Sequence, residues 1–288
     1  MQKATLRDDA GRNDATLDNG ATTREISYLL HAFTLTSNAA YREAAARGVR
    51  YLLKMQYANG GFPQFYPDLS SYRHEITYND DAMIHALTVL RDVAERRGDY
   101  ASVQKLRAPA QAAVARGISC ILQTQYVRNG QRTAWCAQYD EKTLQPAKAR
   151  AFELPSLSGS ESVGIVRFLM SILNPSPEVK TAVESAVAWL QKVKIPGYAI
   201  KDVAAPQEPN GRDRVIVPEA GAVLWARFYE LNTDRPIYVG RDSRVHYQLS
   251  EIEHERRTGY GYAGTWPAKL LEEEYPQWQQ RQAKAGGQ

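Results

Sequence analysis

The sequence has no run of about 18 or more apolar residues, so nothing in it can span a bilayer as a helix. Its start, Met1-Gln2-Lys3-Ala4, lacks the apolar core of a secretory signal. Cysteine is scarce. Cys120 and Cys136 are too few for a disulfide framework, and they either pair with each other or remain buried thiols. The histidines His31, His74, His85, His246 and His254 show no metal-ligand spacing, and His31 and His85 read as helix residues. There is no Gly-x-Ser-x-Gly elbow, phosphate loop, dinucleotide fingerprint or EF-hand spacing. No Lys/Arg-rich tract occurs, and the net charge is only +4. Nucleic acid and membrane are therefore not expected partners, while an acidic polymer is tolerated.

What the chain does have is helical periodicity. Ile26, Leu29, Leu30 and Phe33 share one helix face, and so do Tyr41, Ala45, Val49, Leu52 and Leu53 behind a cap at Asn38. Met83, Ile84, Leu87, Leu90 and Val93 repeat the pattern up to Gly98. Further helices are expected over 101–125 (with a bend at Pro109), 163–173 and 178–194, the last opened by Ser176-Pro177. A final helix is expected over 219–231. The helices come in pairs and carry an internal repeat of roughly 69 residues. Met55-Gln56-Tyr57-Ala58-Asn59-Gly60-Gly61 echoes Thr124-Gln125-Tyr126-Val127-Arg128-Asn129-Gly130. Each echo enters an aromatic loop, which either caps a core or lines a sugar cleft. Three hairpins with returning loops predict a mainly α fold, an incomplete α/α toroid with few short strands near 199–203 and 215–217. A single domain over 1–288 is expected, with its body at 14–235 and an irregular tail over 236–288 lying on the surface.

Three polar clusters open helices: Asp14 to Thr23, Thr77 to Asp81, and Ser156 to Ser162. The bland reading of Asp18 and Asp80 is helix capping. One cap needs one side chain, however, and Asp14, Asp18 and Asn19 crowd one start while Asn79, Asp80 and Asp81 crowd another. The surplus fits oxygen ligands for calcium. Arg150 lies in a loop of small and apolar residues before the third cluster. It is either a solvated arginine or one pressed against a cleft.

Several of these segments carry a family resemblance. Ala15-Thr16-Leu17-Asp18-Asn19-Gly20-Ala21-Thr22-Thr23 and Ile76-Thr77-Tyr78-Asn79-Asp80-Asp81-Ala82-Met83 are two of them. Ala149-Arg150-Ala151-Phe152-Glu153-Leu154-Pro155-Ser156-Leu157-Ser158-Gly159, Trp225-Ala226-Arg227-Phe228-Tyr229-Glu230-Leu231, and the tail from Glu253 to Trp266 complete the set. In this order they resemble the pectate lyases of polysaccharide lyase family ten. The resemblance implies an α/α toroid and a secreted bacterial enzyme, expected to be a monomer, that cleaves polygalacturonate by calcium-assisted anti-β-elimination. It implies Asp18 and Asp80 as calcium ligands, Arg150 as the base, and Asn19, Arg227 and Arg241 as substrate-binding residues. Family members also carry a further helix and a Tyr-Gln-x-x-x-Gly-Gly-Trp segment before the first signature. This chain begins without them, which leaves the wall of the toroid and the distal subsites in question.

The residue types suit that chemistry. A uronate C5 proton becomes acidic once its neighbouring carboxylate is neutralised by a cation. An arginine base is unusual, because its reference pKa exceeds about 12; cation charge and desolvation push it down, and a strongly alkaline optimum follows. Three other readings stay open at this level. Gln56-Tyr57-Ala58-Asn59-Gly60-Gly61-Phe62 resembles a repeat of the triterpene cyclases. A non-catalytic uronate-binding module would keep the aromatics and arginines. A glycoside hydrolase would need two carboxylates flanking one bond, here Asp80 and Glu153.

Overall fold

The computed structural model describes residues 15–286; Asp14 lies outside them. The fold is mainly α, and most of its strands are two residues long. The chain divides into two compact units, Met1–Thr124 with Gln138–Gln145, and Gln125–Ala137 with Pro146–Gln288.

The first unit contains α1 (Thr23–Thr36), α2 (Ala39–Met55), α3 (Ala82–Glu95) and α4 (Arg107–Thr124). Asn38 caps α2 by accepting the Ala40 N–H at 3.0 Å. Ile26 and Leu30 of α1 and Ala45, Val49 and Leu52 of α2 are buried, while Leu29, Phe33 and Leu53 of the predicted stripes are half-buried and Tyr41 is exposed. Gly48 lets α1 and α2 approach closely: a Cβ there would lie 2.6 Å from the Ile26 side chain. All five apolar residues read on α3 are buried. That helix stops at Glu95, where Arg96 takes the left-handed conformation, rather than at Gly98. Pro109 does not bend a helix. It sits in the first turn of α4, where its missing N–H costs nothing.

The second unit contains α5 (Glu161–Met170), α6 (Pro177–Lys192), α7 (His254–Gly259) and α8 (Tyr275–Gly286). Ser176 caps α6 by accepting from Val179 N–H, with Pro177 at the first helical position. The expected helix over 219–231 is absent. Residues Arg212–Ala226 form a strand paired antiparallel with Ile195–Ala204, and Phe228–Tyr229 continue as a second short strand. The apolar spacing there fits either period, but the β-branched run Val215-Ile216-Val217 and the interior Pro218 favour an extended chain. Nor does the whole tail lie on the surface. Ile237, Tyr238, Val239, Leu249, Ile252 and Tyr262 pack with Phe152 and Phe228 in a buried cluster. Cys120 and Cys136 are both buried free thiols. Of the aromatic loops, Phe62, Trp135 and Tyr139 are fully covered and serve the core, while Phe65 and Tyr66 stay half-buried.

The repeat has a chemical expression. Gln56 Nε2 donates to Gly60 O of its own loop at 3.0 Å and to Ala113 O of α4 at 2.9 Å. Gln125 Nε2 donates to Thr133 O of its own loop and to Ala182 O of α6, both at 2.9 Å. In each case the far acceptor lies 57 residues beyond the glutamine. One amide thus joins the end of one hairpin's second helix to the second helix of the next. The loop after Gln56 runs so close to α4 that a Cβ at Gly60, whose φ is +95°, would lie 2.1 Å from Arg116 O. Gln125 is 2% exposed. Replacing Gln125 by Met keeps its volume but removes the buried amide's hydrogen bonds to both carbonyls. The expected outcome is a loss of at least about 1–3 kcal/mol in denaturant unfolding. An unchanged midpoint would show that this amide contributes nothing to stability.

Candidate active site

In the first unit, two tight turns precede α1 and α3, and they are copies of one another. Leu17-Asp18-Asn19-Gly20 and Tyr78-Asn79-Asp80-Asp81 share their backbone conformations position by position. The first residue of each is right-handed, and Asn19 and Asp80 both have φ near +50°. Gly20 and Asp81 follow with φ of +72° and +58°. Asn and Asp tolerate this left-handed region best among residues with a side chain. Each turn follows a two-residue strand, Ala15–Thr16 or Ile76–Thr77, so each is held at a fixed sheet edge. The two turns lie against one another.

Neither α1 nor α3 takes a side-chain cap. Capping therefore does not explain these acids. Asp18 accepts from Gln64 Nε2 at 3.1 Å and from Asn19 Nδ2 at 3.3 Å, and Asp80 accepts from Asn79 Nδ2 at 2.8 Å. Asn79 is 2% exposed and Asp80 is open to solvent. The structure thus brings Asp18, Asn19 and Asp80 together and adds Asn79 to the set. A cavity of about 420 Å³ beside the first turn is lined by Asp18, Asn19, Arg24, Glu25 and Tyr28. Glu25 Oε2 is buried there without a hydrogen-bond donor.

The predicted arginines converge in the second unit. Phe152 and Tyr260 pack edge to face with ring centroids 5.2 Å apart. Arg150, Arg241 and Arg256 place their guanidinium carbons 4.8, 5.8 and 4.6 Å from the Phe152 centroid. Arg150 and Arg227 stand 5.7 and 4.7 Å from the Tyr260 centroid. Each cation also has a glutamate. Arg150 Nε donates to Glu153 Oε2 at 2.7 Å, and its Nη2 takes the other oxygen. Tyr260 Oη donates to Glu153 Oε1 at 3.0 Å. Arg227 pairs with Glu161, which also accepts from the Ser158 hydroxyl. Arg241 and Arg256 share Glu255.

The four arginines differ in access. The Arg150 and Arg241 side chains are 39% and 58% exposed, whereas Arg227 and Glu161 are 9% and 1% exposed. Arg227, expected to meet substrate, is largely buried and paired with Glu161. Glu161 and Arg256 were not singled out from sequence. Glu161 reads as an ordinary first-turn acid of α5, and Arg256 as one of several charges in the tail.

Residues 1–271 match the family model described as pectic acid lyase. The chain belongs to the pectic acid lyase family. Among solved structures, the lyase resembles a family 10 polysaccharide lyase from Cellvibrio cellulosa, with 38% identity and a TM-score of 0.84 over 90% of this chain and 79% of that one. An aspartate-to-alanine mutant of that enzyme, in complex with trigalacturonic acid, gives the same identity and TM-score. Comparison with curated proteins returned no match. The lyase is a polysaccharide lyase of the pectate lyase class, and its fold class is the incomplete α/α toroid of helical hairpins.

The pairing at the aromatic platform has a titration signature. Arg256 first, and Arg241 second, hold the Glu255 carboxyl down at about 2. A depressed carboxylate contributes to the folded state above its ordinary pKa, and the contribution is lost as pH falls through the depressed value. Carboxyl-carbon NMR of the lyase should show Glu255 titrating near 2, with Arg256→Ala raising it more than Arg241→Ala does. A Glu255 midpoint in the ordinary carboxylate range would show that these pairs do not persist in solution.

Proposed function

We propose that the lyase cleaves polygalacturonate by calcium-assisted anti-β-elimination and releases 4,5-unsaturated oligogalacturonides. The observation that carries this reading is the arginine cluster around Phe152 and Tyr260, in a chain whose solved relative was captured with trigalacturonic acid. A guanidinium matches a carboxylate fork to fork. Polygalacturonate presents one carboxylate per sugar, so a group of arginines in aromatic surroundings suits it. The relative's bacterial source supports a bacterial enzyme, and a polymeric plant substrate supports secretion.

The donors around Asp18 fit calcium. The carboxylates of Asp18 and Asp80 and the amides of Asn19 and Asn79, on neighbouring turns, offer only oxygen to a cation, and the buried Glu25 oxygen that accepts no hydrogen bond adds negative potential nearby. Asp18 and Asp80 would hold the ion. When bound, calcium neutralises the uronate carboxylate and stabilises the charge that develops beside C5. Asn19 is assigned to hydrogen-bond sugar oxygens; its exposed side chain on the left-handed turn supports that role.

Arg150 is assigned as the base. In its neutral form it takes the C5 proton. The electron pair forms the C4–C5 double bond, and the C4–oxygen bond breaks with its proton supplied by water. The resting pair with Glu153 works against this role, since a carboxylate partner favours a protonated guanidinium. A small neutral fraction, and therefore a rate that climbs into the alkaline range, is the natural result. Glu153 has both oxygens engaged by Arg150 and Tyr260. It does not resemble the free acid that a glycoside hydrolase requires.

Two outcomes test the reading. With polygalacturonate and calcium at alkaline pH, the product's ultraviolet absorbance should rise, and Arg150→Lys should lower kcat by a factor of about 10² or more while oligosaccharide affinity survives. A loss confined to binding, with kcat kept at saturation, would make Arg150 an anchor and move the base elsewhere. Calorimetry should show weak calcium binding to the free lyase and tighter binding with oligogalacturonate, because two carboxylates alone make a low-charge site. Tight calcium binding without sugar would contradict the shared-ligand assignment.

A further inference from the structure

Besides Glu25 Oε2, the first unit buries two carboxylate oxygens that accept no hydrogen bond, one on Glu75 and one on Glu141, and these two carboxylates flank one imidazole. Glu75 is 8% exposed and its Oε2 has no donor; Glu141 Oε2 is likewise buried without one. His74 Nε2 stands 3.2 Å from Glu75 Oε1 and 3.6 Å from Glu141 Oε2. Ligand atoms of all three residues fall within 4.8 Å of one another. A buried carboxylate without a donor is costly. The imidazole satisfies neither orphan oxygen: it faces Oε1 of Glu75, and it stands beyond hydrogen-bond reach of Glu141 Oε2 at 3.6 Å.

A cation would satisfy them. Zinc bonds of about 2.0–2.2 Å to nitrogen and carboxylate oxygen, set at the tetrahedral angle, put neighbouring donors about 3.4 Å apart. The two measured imidazole–carboxylate separations fall on either side of that value. The backbone of the cluster is also anchored. Tyr57 Oη donates to His74 O and Asn59 Nδ2 donates to Glu141 O, both at 2.7 Å, so one short loop grips both ends of the set. Glu75 immediately precedes, and Glu141 closely follows, the paired strands Ile76–Thr77 and Gln138–Tyr139. The His74 side chain is 36% exposed and that of Glu141 18%, which leaves an entry path.

We propose that His74, Glu75 and Glu141 form a structural site for a divalent cation of the zinc class, with water in the fourth position. An imidazole in the donor set selects a transition ion over calcium, which takes oxygen ligands. Bound there, the ion ties the two short strands together at the base of the turn that carries Asp80. The site is independent of the lyase reading, since its ligands and its readout are separate from turnover.

The test uses the full chain, freed of metal by chelator and titrated calorimetrically with zinc chloride. The expected result is one zinc per chain with a raised thermal midpoint. Glu75→Gln and, separately, Glu141→Gln should each weaken binding at least about tenfold and abolish the midpoint shift. Glu141 is the less buried of the two, so its variant decides the matter if Glu75→Gln fails to fold. No zinc binding, undiminished binding in Glu141→Gln, or calcium binding as tight as zinc in the same titration would overturn the assignment.

Discussion

Four guanidinium groups cannot gather around two aromatic rings unless their charge is answered locally, and the second unit is organised by that requirement. Glu153, Glu161 and Glu255 come from three different stretches of chain, and each is committed to at least one arginine. The pairs are not equivalent. Arg227 with Glu161 is shielded from water, so removing either partner would leave a buried charge, at a cost of about 3–5 kcal/mol. Arg241 with Glu255 is open on both sides, and such a pair is worth only about 0–1 kcal/mol. The shielded pair stands against the Tyr260 ring, while the open pair of Arg241 and Glu255 can trade an internal carboxylate for one on a ligand at little cost. One cluster therefore supplies both a rigid platform and exchangeable contacts.

The helical half of the structure was legible because burial follows period. Met83, Ile84, Leu87, Leu90 and Val93 read as a face and pack as one. The caps at Asn38 and Ser176 were equally plain, since a short polar side chain before a helix has one common use. The sequence misled where periods overlap. Residues 219–226 match a helical face by spacing, yet pairing of Leu224 with Ile195 and Val223 with Pro196 makes them a strand. Long-range partners decide such segments, and one local stretch does not announce them. The tail misled for a related reason: its charges and glycines suggested surface, and its Ile237, Tyr238 and Tyr262 turned inward.

The candidate site was legible in outline. Asp18, Asn19 and Asp80 come together, and Arg150, Arg227 and Arg241 share one aromatic pair. The depth of each residue was not visible, so Arg227 was expected in contact with substrate and is found largely covered. The cluster at His74 escaped notice because its ligands are brought together by strand pairing, with Ile76 opposite Tyr139, and not by any regular spacing. The two acidic turns show a further subtlety. They are copies in backbone conformation, but Asp18 occupies the second position of its turn, whereas Asp80 and Asp81 occupy the third and fourth positions of the other. An identical scaffold thus presents Asp18 and Asp80 at different points along the turn.

The glutamine stitches bear on how such a chain can change length over evolutionary time. Gln56 reaches Ala113, and Gln125 reaches Ala182, across the same interval. Much of that interval is loop, where extra residues can bulge outward at a cost that grows only slowly with length. Inside α4, before Ala113, one inserted residue would turn the acceptor about 100° around the helix axis and strand the amide. Length variation should therefore collect in the returning loops and spare the segments between each helix start and its acceptor carbonyl. A whole hairpin, by contrast, is a unit that can be gained or lost without disturbing the register of its neighbours.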